Sequence, residues 1–407
     1  MSDTTLFPEI YNDVAGHGIL PSQTIRRMVA TGQISADQEV LDSQIQPASI
    51  DLRLGNEAYR VQASFLPGRS TTLFTRVKEL LDSTIDLTQP TPTLLEPGVV
   101  YIIPLLERLK LPGDVQGVAN PRSTTGRLDI FTRLITEHGD QFDRVPRGYR
   151  GLLYVEVSSR TFPVRVRSGM TLNQLRFVRG TAADALDPIR NADLIELAER
   201  EPLVYDANDQ PTTERVGDGV QLTVDLQGDR ATDIVAYKAK QHPRAIELDK
   251  LYHYDIDDYW EVIPRPRNGH IILTQGGFYL LASKAKVGVP LTHAAEMVAH
   301  DPSMGEFRVH YAGFFDPGFG YGTKKGEIRG TRAVLEVRAY EVPILLEDND
   351  VVGRLHYYAM AAIPDRAYGQ SIGSSYQQQG LALSKQFKRT SWPNEATSNT
   401  NRALAIA

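Results

Sequence analysis

Two arginines and several hydroxyl side chains lie close together in the segment NPRSTTGRLDIF, residues 120–131. The side chains that could bind a ligand there are Arg122, Ser123, Thr124 and Arg127. Guanidinium groups and hydroxyls suit a polyphosphate, because together they donate several hydrogen bonds to its oxygens. A surface turn with two arginines is also common in proteins, so this segment alone leaves both interpretations open.

Three carboxylates lie in segments that could place them near such a site. Glu156 in VEV and Glu336 in LEV lie in apolar runs typical of β-strands, where side chains alternate and either carboxylate could face solvent. A glutamate that faces a pocket is partly desolvated, which raises its pKa and suits it to carry protons. Asp316, in FFDPGFG, lies in a sequence typical of a turn between strands and could also be a buried polar anchor.

The chain has no cysteine, which excludes disulfides, thiolate nucleophiles, iron–sulfur clusters and every zinc site that needs sulfur. The histidines that could still form a zinc site are His138, His293, His300 and His310. No HExxH motif and no GxxxxGK(S/T) loop occurs, so a zinc protease and a Walker-type nucleotidase are both disfavoured. We therefore expect no metal ion held by the protein's own side chains.

The overall charge and hydropathy limit the kinds of partner. The 407 residues include 44 Lys and Arg and 50 Asp and Glu, a net charge of −6, so the chain lacks the basic excess of a protein that binds long nucleic acids. It has no apolar run of 18 residues, and the N-terminal sequence MSDTTLFPEIYND does not resemble a secretory signal. We expect no membrane partner and a cytoplasmic location.

The elements that must position these residues are mainly β-strands. Short β-branched runs separated by Gly, Pro or Asp predict many short strands. Two helices are also predicted. One begins with Ser22 as its N-terminal cap and ends near Gly32, and the other spans residues 192–201.

The chain also contains an internal repeat. Residues 94–112 match residues 272–290 without gaps, and a second match superposes Glu156 on Glu336. A third match sets Asp51 beside Asp225. Three matches in the same order predict two homologous domains. We expect an N-terminal domain at residues 1–204, a C-terminal domain at 205–387 and a flexible tail at 388–407.

Several motifs in this order resemble those of the deoxycytidine triphosphate (dCTP) deaminase family, relatives of the dUTP pyrophosphatases. They are QIQPASIDLRLG, LEPG, LKLPGDVQG, PRSTTGRLDIF, GYRGLLYVEV, SGMTLNQLRF and, near the C-terminus, AYGQSIGSSYQQQGLALSKQF. The whole chain is similar to the long, two-domain form of the deaminase. The resemblance implies a mainly β fold of two tandem dUTPase-like β-barrels, each a distorted jelly roll, with a few short helices.

The resemblance also implies roles for individual residues. Arg122 would bind phosphate with Thr124 beside it, while Ser123 and Arg127 would hold the attacking water and the base. Glu156 matches the catalytic glutamate, and Glu336 occupies the same place in the second half. Asp316 matches an aspartate that meets the deoxyribose. The residues that match the segment closing over the nucleotide are Tyr368, Tyr376 and Gln378 or Gln379.

Each half has lost part of the family pattern. In the first half Pro146 stands where the aspartate of the Asp-Pro-Gly turn should be. In the second half the phosphate motif has become VAHDPSMGEF, without arginine. Because family sites form between neighbouring barrels, one hypothesis is a composite site that joins the first half's motif to Asp316 and Glu336. The alternative is a site built from first halves only, which uses Glu156.

The reaction implied by the resemblance is hydrolysis of dCTP to dUTP and ammonia, which feeds dUMP and thymidylate synthesis. A glutamate would activate water without zinc, and Mg²⁺ would arrive with the triphosphate. The alternatives are dUTP pyrophosphatase activity, alone or coupled to deamination, and a non-catalytic nucleotide-binding protein. Shared sites imply a homo-oligomer, either a trimer or a pseudo-hexamer of domains, and the family suggests inhibition by dTTP.

Overall fold

The computed structural model describes nine stretches of the chain. They are residues 16–180, 187–206, 208–228, 233–298, 307–309, 313–322, 328–340, 342–369 and 380–389. Tyr376, Gln378, Gln379, His300 and His310 lie outside the described residues.

Five short α-helices and one 3-10 helix, at Asp42–Gln44, occur in these stretches. The α-helices are α1 (Ser22–Ala30), α2 (Leu73–Leu80), α3 (Ser123–Gly126), α4 (Asn191–Arg200) and α5 (Ile256–Tyr259). Both predicted helices are confirmed as α1 and α4. The predicted capping by Ser22 is wrong, because Pro21 holds the cap position and the Ser22 hydroxyl donates instead to Asp365 Oδ1 at 2.5 Å.

All other regular structure in the described stretches is β, which confirms the predicted fold class. The first half contains β1 (Gly18–Ile19), β2 (Ile34–Ser35), β3 (Ile50–Arg53), β4 (Glu57–Val61), β5 (Leu81–Asp86), β6 (Thr93–Leu95), β7 (Val100–Lys110), β8 (Val115–Pro121), β9 (Ile130–Thr136), β10 (Arg144–Val145), β11 (Arg150–Ser159), β12 (Val164–Val166) and β13 (Thr171–Arg179). The second half contains β14 (Val204–Tyr205), β15 (Val216–Gly217), β16 (Gly219–Thr223), β17 (Ile234–Ala239), β18 (Ile246–Glu247), β19 (Trp260–Pro264), β20 (His270–Leu273), β21 (Phe278–Val287), β22 (His293–Val298), β23 (Phe307–Val309), β24 (Phe314–Phe315), β25 (Thr331–Ala339), β26 (Ile344–Glu347) and β27 (Val351–Ala359).

The internal repeat appears directly in the strand pairing. One sheet of the first half runs in the order β5-β4-β7-β11-β9, and the second half repeats it as β19-β17-β21-β25-β23. Glu156 on β11 pairs with Ile102 on β7, and Glu336 on β25 pairs with Leu280 on β21. The two glutamates therefore hold equivalent places in two equivalent sheets.

Strand alternation decides which face each glutamate occupies. Val155 and Val157 are fully buried in the first half's core, so Glu156 points to the opposite face of its sheet. Leu335 and Val337 lie in the core of the second half, so Glu336 likewise points away from that core. Each carboxylate thus lies on the face of its sheet that can meet another part of the molecule.

The two halves share an apolar interface. β18 of the second half pairs in parallel with β12 of the first half. Phe162 of the first half lies 5.2 Å, between ring centroids, from Trp260 of the second half. Burial of such a large side chain contributes roughly 1.5–3 kcal/mol, so the interface fixes the halves relative to each other. The proposed domain boundary near residue 205 stays a prediction.

None of the helices in the described stretches combines the length and the apolar character that crossing a bilayer requires.

Candidate functional site

Residues 122–127, called the phosphate motif after the role that the resemblance implies, lie in a tight connection between two buried strands. β8 ends at Pro121, α3 makes a single helical turn, and β9 begins at Ile130. Ser123 and Thr124 are half-buried on this turn, while the Arg127 side chain is buried. The motif therefore presents its polar side chains from a rigid connection at the interface between the halves.

Glu336 of the second half lies directly against this motif. A methyl group built onto Gly126 would be 2.7 Å from Cδ of Glu336, so any larger residue at this position would displace the carboxyl group. Oε2 of Glu336 is buried and has no hydrogen-bond partner among the described residues. The fold thus brings the first half's phosphate motif and the second half's glutamate into contact.

The surroundings of Glu336 increase the proton affinity of its carboxylate. Burial raises the pKa of this carboxyl group well above its usual value, the positive charge of Arg127 opposes the rise, and Asp129 adds to it. A carboxylate whose pKa is raised by burial binds a proton more tightly than an ordinary carboxylate, which suits it to accept a proton and pass it on. Glu336 is therefore equipped for acid–base chemistry beside Arg127.

Asp316 is held by an arginine of the other half. β24 ends in the predicted Asp-Pro-Gly turn, in which the Phe319 amide donates to the Asp316 carbonyl at 3.0 Å. Arg176 on β13 is buried and donates to the Asp316 carboxylate at 3.0 Å. It also donates to the Phe315 carbonyl at 2.9 Å and lies 3.9 Å from the centroid of the Phe314 ring. Arg176 thus anchors the whole turn.

A buried carboxylate pairs with the phosphate motif and lies near enough to the Asp316 turn to be affected by its charge. Asp51 on β3 forms an ion pair with Arg122, with 3.2 Å between its Oδ2 and Nη2 of the arginine. Burial raises the pKa of Asp51 to about 6, with Arg122 opposing the rise, Asp316 adding to it and Lys385 opposing it. The pKa of Asp51 therefore depends on charges of the phosphate motif, the Asp316 turn and the C-terminal segment.

The C-terminal segment of the same chain covers the motif. The Ala382 carbonyl accepts a hydrogen bond from Arg127 at 3.0 Å, and the Ser384 hydroxyl donates to the Thr124 carbonyl at 2.9 Å. Lys385 follows, and burial lowers the pKa of its amine, with the nearby Arg122 adding to the fall. Two cations, Arg122 and Lys385, thus lie close enough to repel each other, as at a site for an anion.

The other predicted residues have different surroundings. Glu156 is buried, and its Oε1 accepts hydrogen bonds from the Arg133 side chain at 2.6 and 3.1 Å. The Tyr368 amide donates to the Pro317 carbonyl at 2.9 Å, and its ring packs 5.5 Å from that of Phe319. Tyr368 therefore lies on the Asp316 turn, whereas Glu156 is neutralised on its own sheet.

Sequence reasoning did not assign site roles to Asp51, Arg176 or Lys385. Asp51 was marked by the internal repeat, and the other two lie in the motifs SGMTLNQLRF and GLALSKQF. Nothing local shows that these residues meet, because their partners are distant in the chain. Among the described residues, no three His, Cys, Asp or Glu side chains are grouped as metal ligands.

Comparisons with known proteins agree with this architecture. Residues 16–181 match the model of the 2'-deoxycytidine 5'-triphosphate deaminase N-terminal domain, and residues 190–387 match that of its C-terminal domain. A crystal structure of 2'-deoxycytidine 5'-triphosphate deaminase from Agrobacterium tumefaciens is similar, with 43% identity and a TM-score of 0.76. The match covers 85% of this chain and 99% of that one.

Shorter relatives match part of the chain. The dCTP deaminase of Natronomonas pharaonis is 32% identical over 163 residues, which are 39% of this chain and 79% of that protein. A dCTP deaminase of Methanosphaera stadtmanae described as dUMP-forming is 28% identical over 160 residues, 39% of this chain and 78% of that protein. These findings confirm the resemblance read from the motifs: the chain belongs to the dCTP deaminase family of enzymes, in a two-domain form.

Proposed function

We propose that the chain hydrolyses dCTP to dUTP and ammonia at a composite site built from both of its halves. The observation that carries this proposal is the buried carboxyl group of Glu336 against Gly126, beside Arg127. It unites a proton carrier from one half with a polyphosphate motif from the other.

Glu336 is the proposed proton shuttle. Its carboxylate takes a proton from water as the oxygen bonds to C4 of cytosine, and the proton passes to N3. Glu336 then moves the remaining hydroxyl proton to the amino group, the C4–N bond breaks, and ammonia leaves with the C4 carbonyl formed. One water is consumed for each ammonia released, and the glutamate ends in its starting state.

The other residues bind and orient the substrate. Arg127 stabilises the negative charge that develops in the transition state, and Ser123 positions the water. Arg122, Thr124 and Lys385 bind the triphosphate. Mg²⁺ would arrive with the substrate in this scheme and would offset part of the negative charge of the triphosphate that these residues hold.

Asp316 meets the deoxyribose in this proposal, and Arg176 keeps it in place. The ion pair at 3.0 Å restrains the carboxylate, and the bond to the Phe315 carbonyl restrains the backbone beside it. Arg176 does not need to touch the nucleotide and is therefore a positioning residue.

Separate replacement of the two glutamates tests which one carries the reaction. Glu336→Gln keeps the size of the side chain but cannot take up a proton, so we expect ammonia release from dCTP to fall by roughly 10²–10⁴-fold. Glu156→Gln is the matched control and should keep most of the activity, because Glu156 is already paired with Arg133. Loss of turnover in Glu156→Gln alone would contradict the composite site.

Coupled formation of dUMP is a second candidate. It is favoured by the buried Asp316, whose pKa is raised by burial although Arg176 opposes the rise, and by the dUMP-forming relatives. In that case Asp316 would activate a second water for attack on the triphosphate. Product analysis from dCTP separates the two: ammonia with dUTP supports deamination alone, and ammonia with dUMP and pyrophosphate supports the coupled reaction.

A further inference from the structure

The glutamate-bearing sheet faces of the two halves are covered in different ways. In the second half, Leu280, Tyr237 and Val334 surround Glu336 on this face. They pack in one cluster with residues of the first half, among them Phe162. This face of the second half is thus an interface with another domain.

The same face of the first half has equivalent residues. Ile102 pairs with Glu156 as Leu280 does with Glu336, and Tyr59 pairs with Ile102 as Tyr237 does with Leu280. Without a cover, this face would present an apolar surface that suits a domain of the same kind.

A segment of the first half covers this surface instead. Residues 62–80 connect β4 to β5, and Leu73 and Val77 of α2 pack fully buried against the sheet. The sheet residues beneath them are Ile102, Ile135 and Tyr154. The cover thus consists of the first half's own residues.

Polar contacts hold this segment in place. The Glu137 carboxylate accepts hydrogen bonds from the Leu73 amide at 3.0 Å and from the Tyr154 hydroxyl at 2.7 Å. Arg133, which neutralises Glu156, also donates to Ser64 at 2.6 Å. The same arginine therefore links the segment to Glu156, with whose Oε1 it pairs, while Oε2 of Glu156 has no hydrogen-bond partner among the described residues.

The equivalent connection in the second half contacts the other half of the molecule. Residues 240–259 connect β17 to β19 and extend to the first half, where β18 pairs with β12 and Tyr259 packs 6.2 Å from Phe162. One connection joins the halves, and its counterpart closes the remaining free face.

We propose that residues 62–80 act as an internal seal, which occupies the place that a neighbouring domain takes on the second half. The seal prevents a domain of a second copy of this chain from docking on the Glu156 face of the first half. Copies of the chain therefore cannot associate head to tail through this face. The seal depends on the packing of Leu73 and Val77 and on the polar contacts of Glu137 and Arg133, and it would stand whatever reaction the composite site performs.

Removal of the seal tests this proposal. Val61 pairs with Leu81, and the Gln62 amide donates to the Leu80 carbonyl at 3.0 Å, so an Asn-Gly turn in place of residues 63–79 can close a hairpin. We expect the full chain with this replacement to associate with itself as its concentration rises, measured by sedimentation velocity against the unaltered chain. The added change Ile135→Lys should reverse the association, whereas Leu345→Lys, at an exposed apolar site elsewhere, should not.

An unchanged mass at every concentration, with a folded chain, would overturn the proposal, as would association that Ile135→Lys leaves intact. If the replacement does not fold, Val77→Asp provides a second test by hydrogen exchange. Val77 is 1% exposed, so this change should speed exchange across residues 62–80, while Lys78→Asp on the exposed side should not. Equal exchange in both variants would show that Val77 does not hold the segment down.

Discussion

Gly126→Ala perturbs the composite site with a single methyl group. The new Cβ would lie 2.7 Å from Cδ of Glu336, whereas carbon atoms need about 3.5 Å, so the carboxyl group must move by roughly 1 Å. A displacement of this size can cost about 10²-fold in rate, and we expect kcat to fall by that factor. The carboxyl atoms that the methyl group meets lie at the end of the Glu336 side chain, which can rotate. The free energy of unfolding should therefore change by no more than about 1 kcal/mol.

The assay is ammonia release from dCTP, with kcat and KM measured separately. KM should stay within about twofold, since the phosphate-binding side chains are untouched. Gly113→Ala is the matched control, because a Cβ at Gly113 meets no atom within 4 Å. In a Glu336→Gln background, Gly126→Ala should have little further effect, since both changes disable the same group.

Two results would refute this reasoning. A Gly126→Ala enzyme with kcat close to that of the unaltered chain would show that the position of the Glu336 carboxyl group does not limit turnover. A full additional loss in the Glu336→Gln background would show that the methyl group acts through another residue.

Two further predictions concern buried charges. Arg176→Met removes the cation that opposes the rise in the pKa of Asp316, so the acidic limb of the pH–rate profile should move to higher pH. Arg176→Lys should restore part of the original profile. An unmoved acidic limb in Arg176→Met would exclude the positioning role. Asp51 has a pKa of about 6 in the folded chain against 3.8 as its ordinary value, so the folded state binds its proton more tightly and the free energy of unfolding falls as pH rises between these values. Asp51→Asn should remove this pH-dependent part of the free energy of unfolding, which amounts to about 3 kcal/mol at most. Denaturant titrations of both proteins at pH 4 and pH 7 would measure the difference. An unchanged pH dependence in the variant would show that Asp51 does not titrate in this range.

Much of the fold could be predicted from the sequence, because the relevant signals are local. The mainly β character follows from short β-branched runs between turn residues, and the helix at Asn191–Arg200 follows from its apolar periodicity. The cap of the first helix was mispredicted because Ser22 hydrogen-bonds to Asp365, a residue far away in the chain. Local patterns do not encode such a competitor.

The sequence by itself determined the types of residue available for chemistry: the arginine and hydroxyl motif, two glutamates at equivalent strand positions, and the turn aspartate. Only the tertiary structure decided how they combine. It brings Glu336 to Gly126 and pairs Glu156 with Arg133, although both glutamates lie in similar apolar runs. The physical reason is that a strand sequence specifies which side chains leave the core, whereas the packing of one half on the other specifies what those side chains meet.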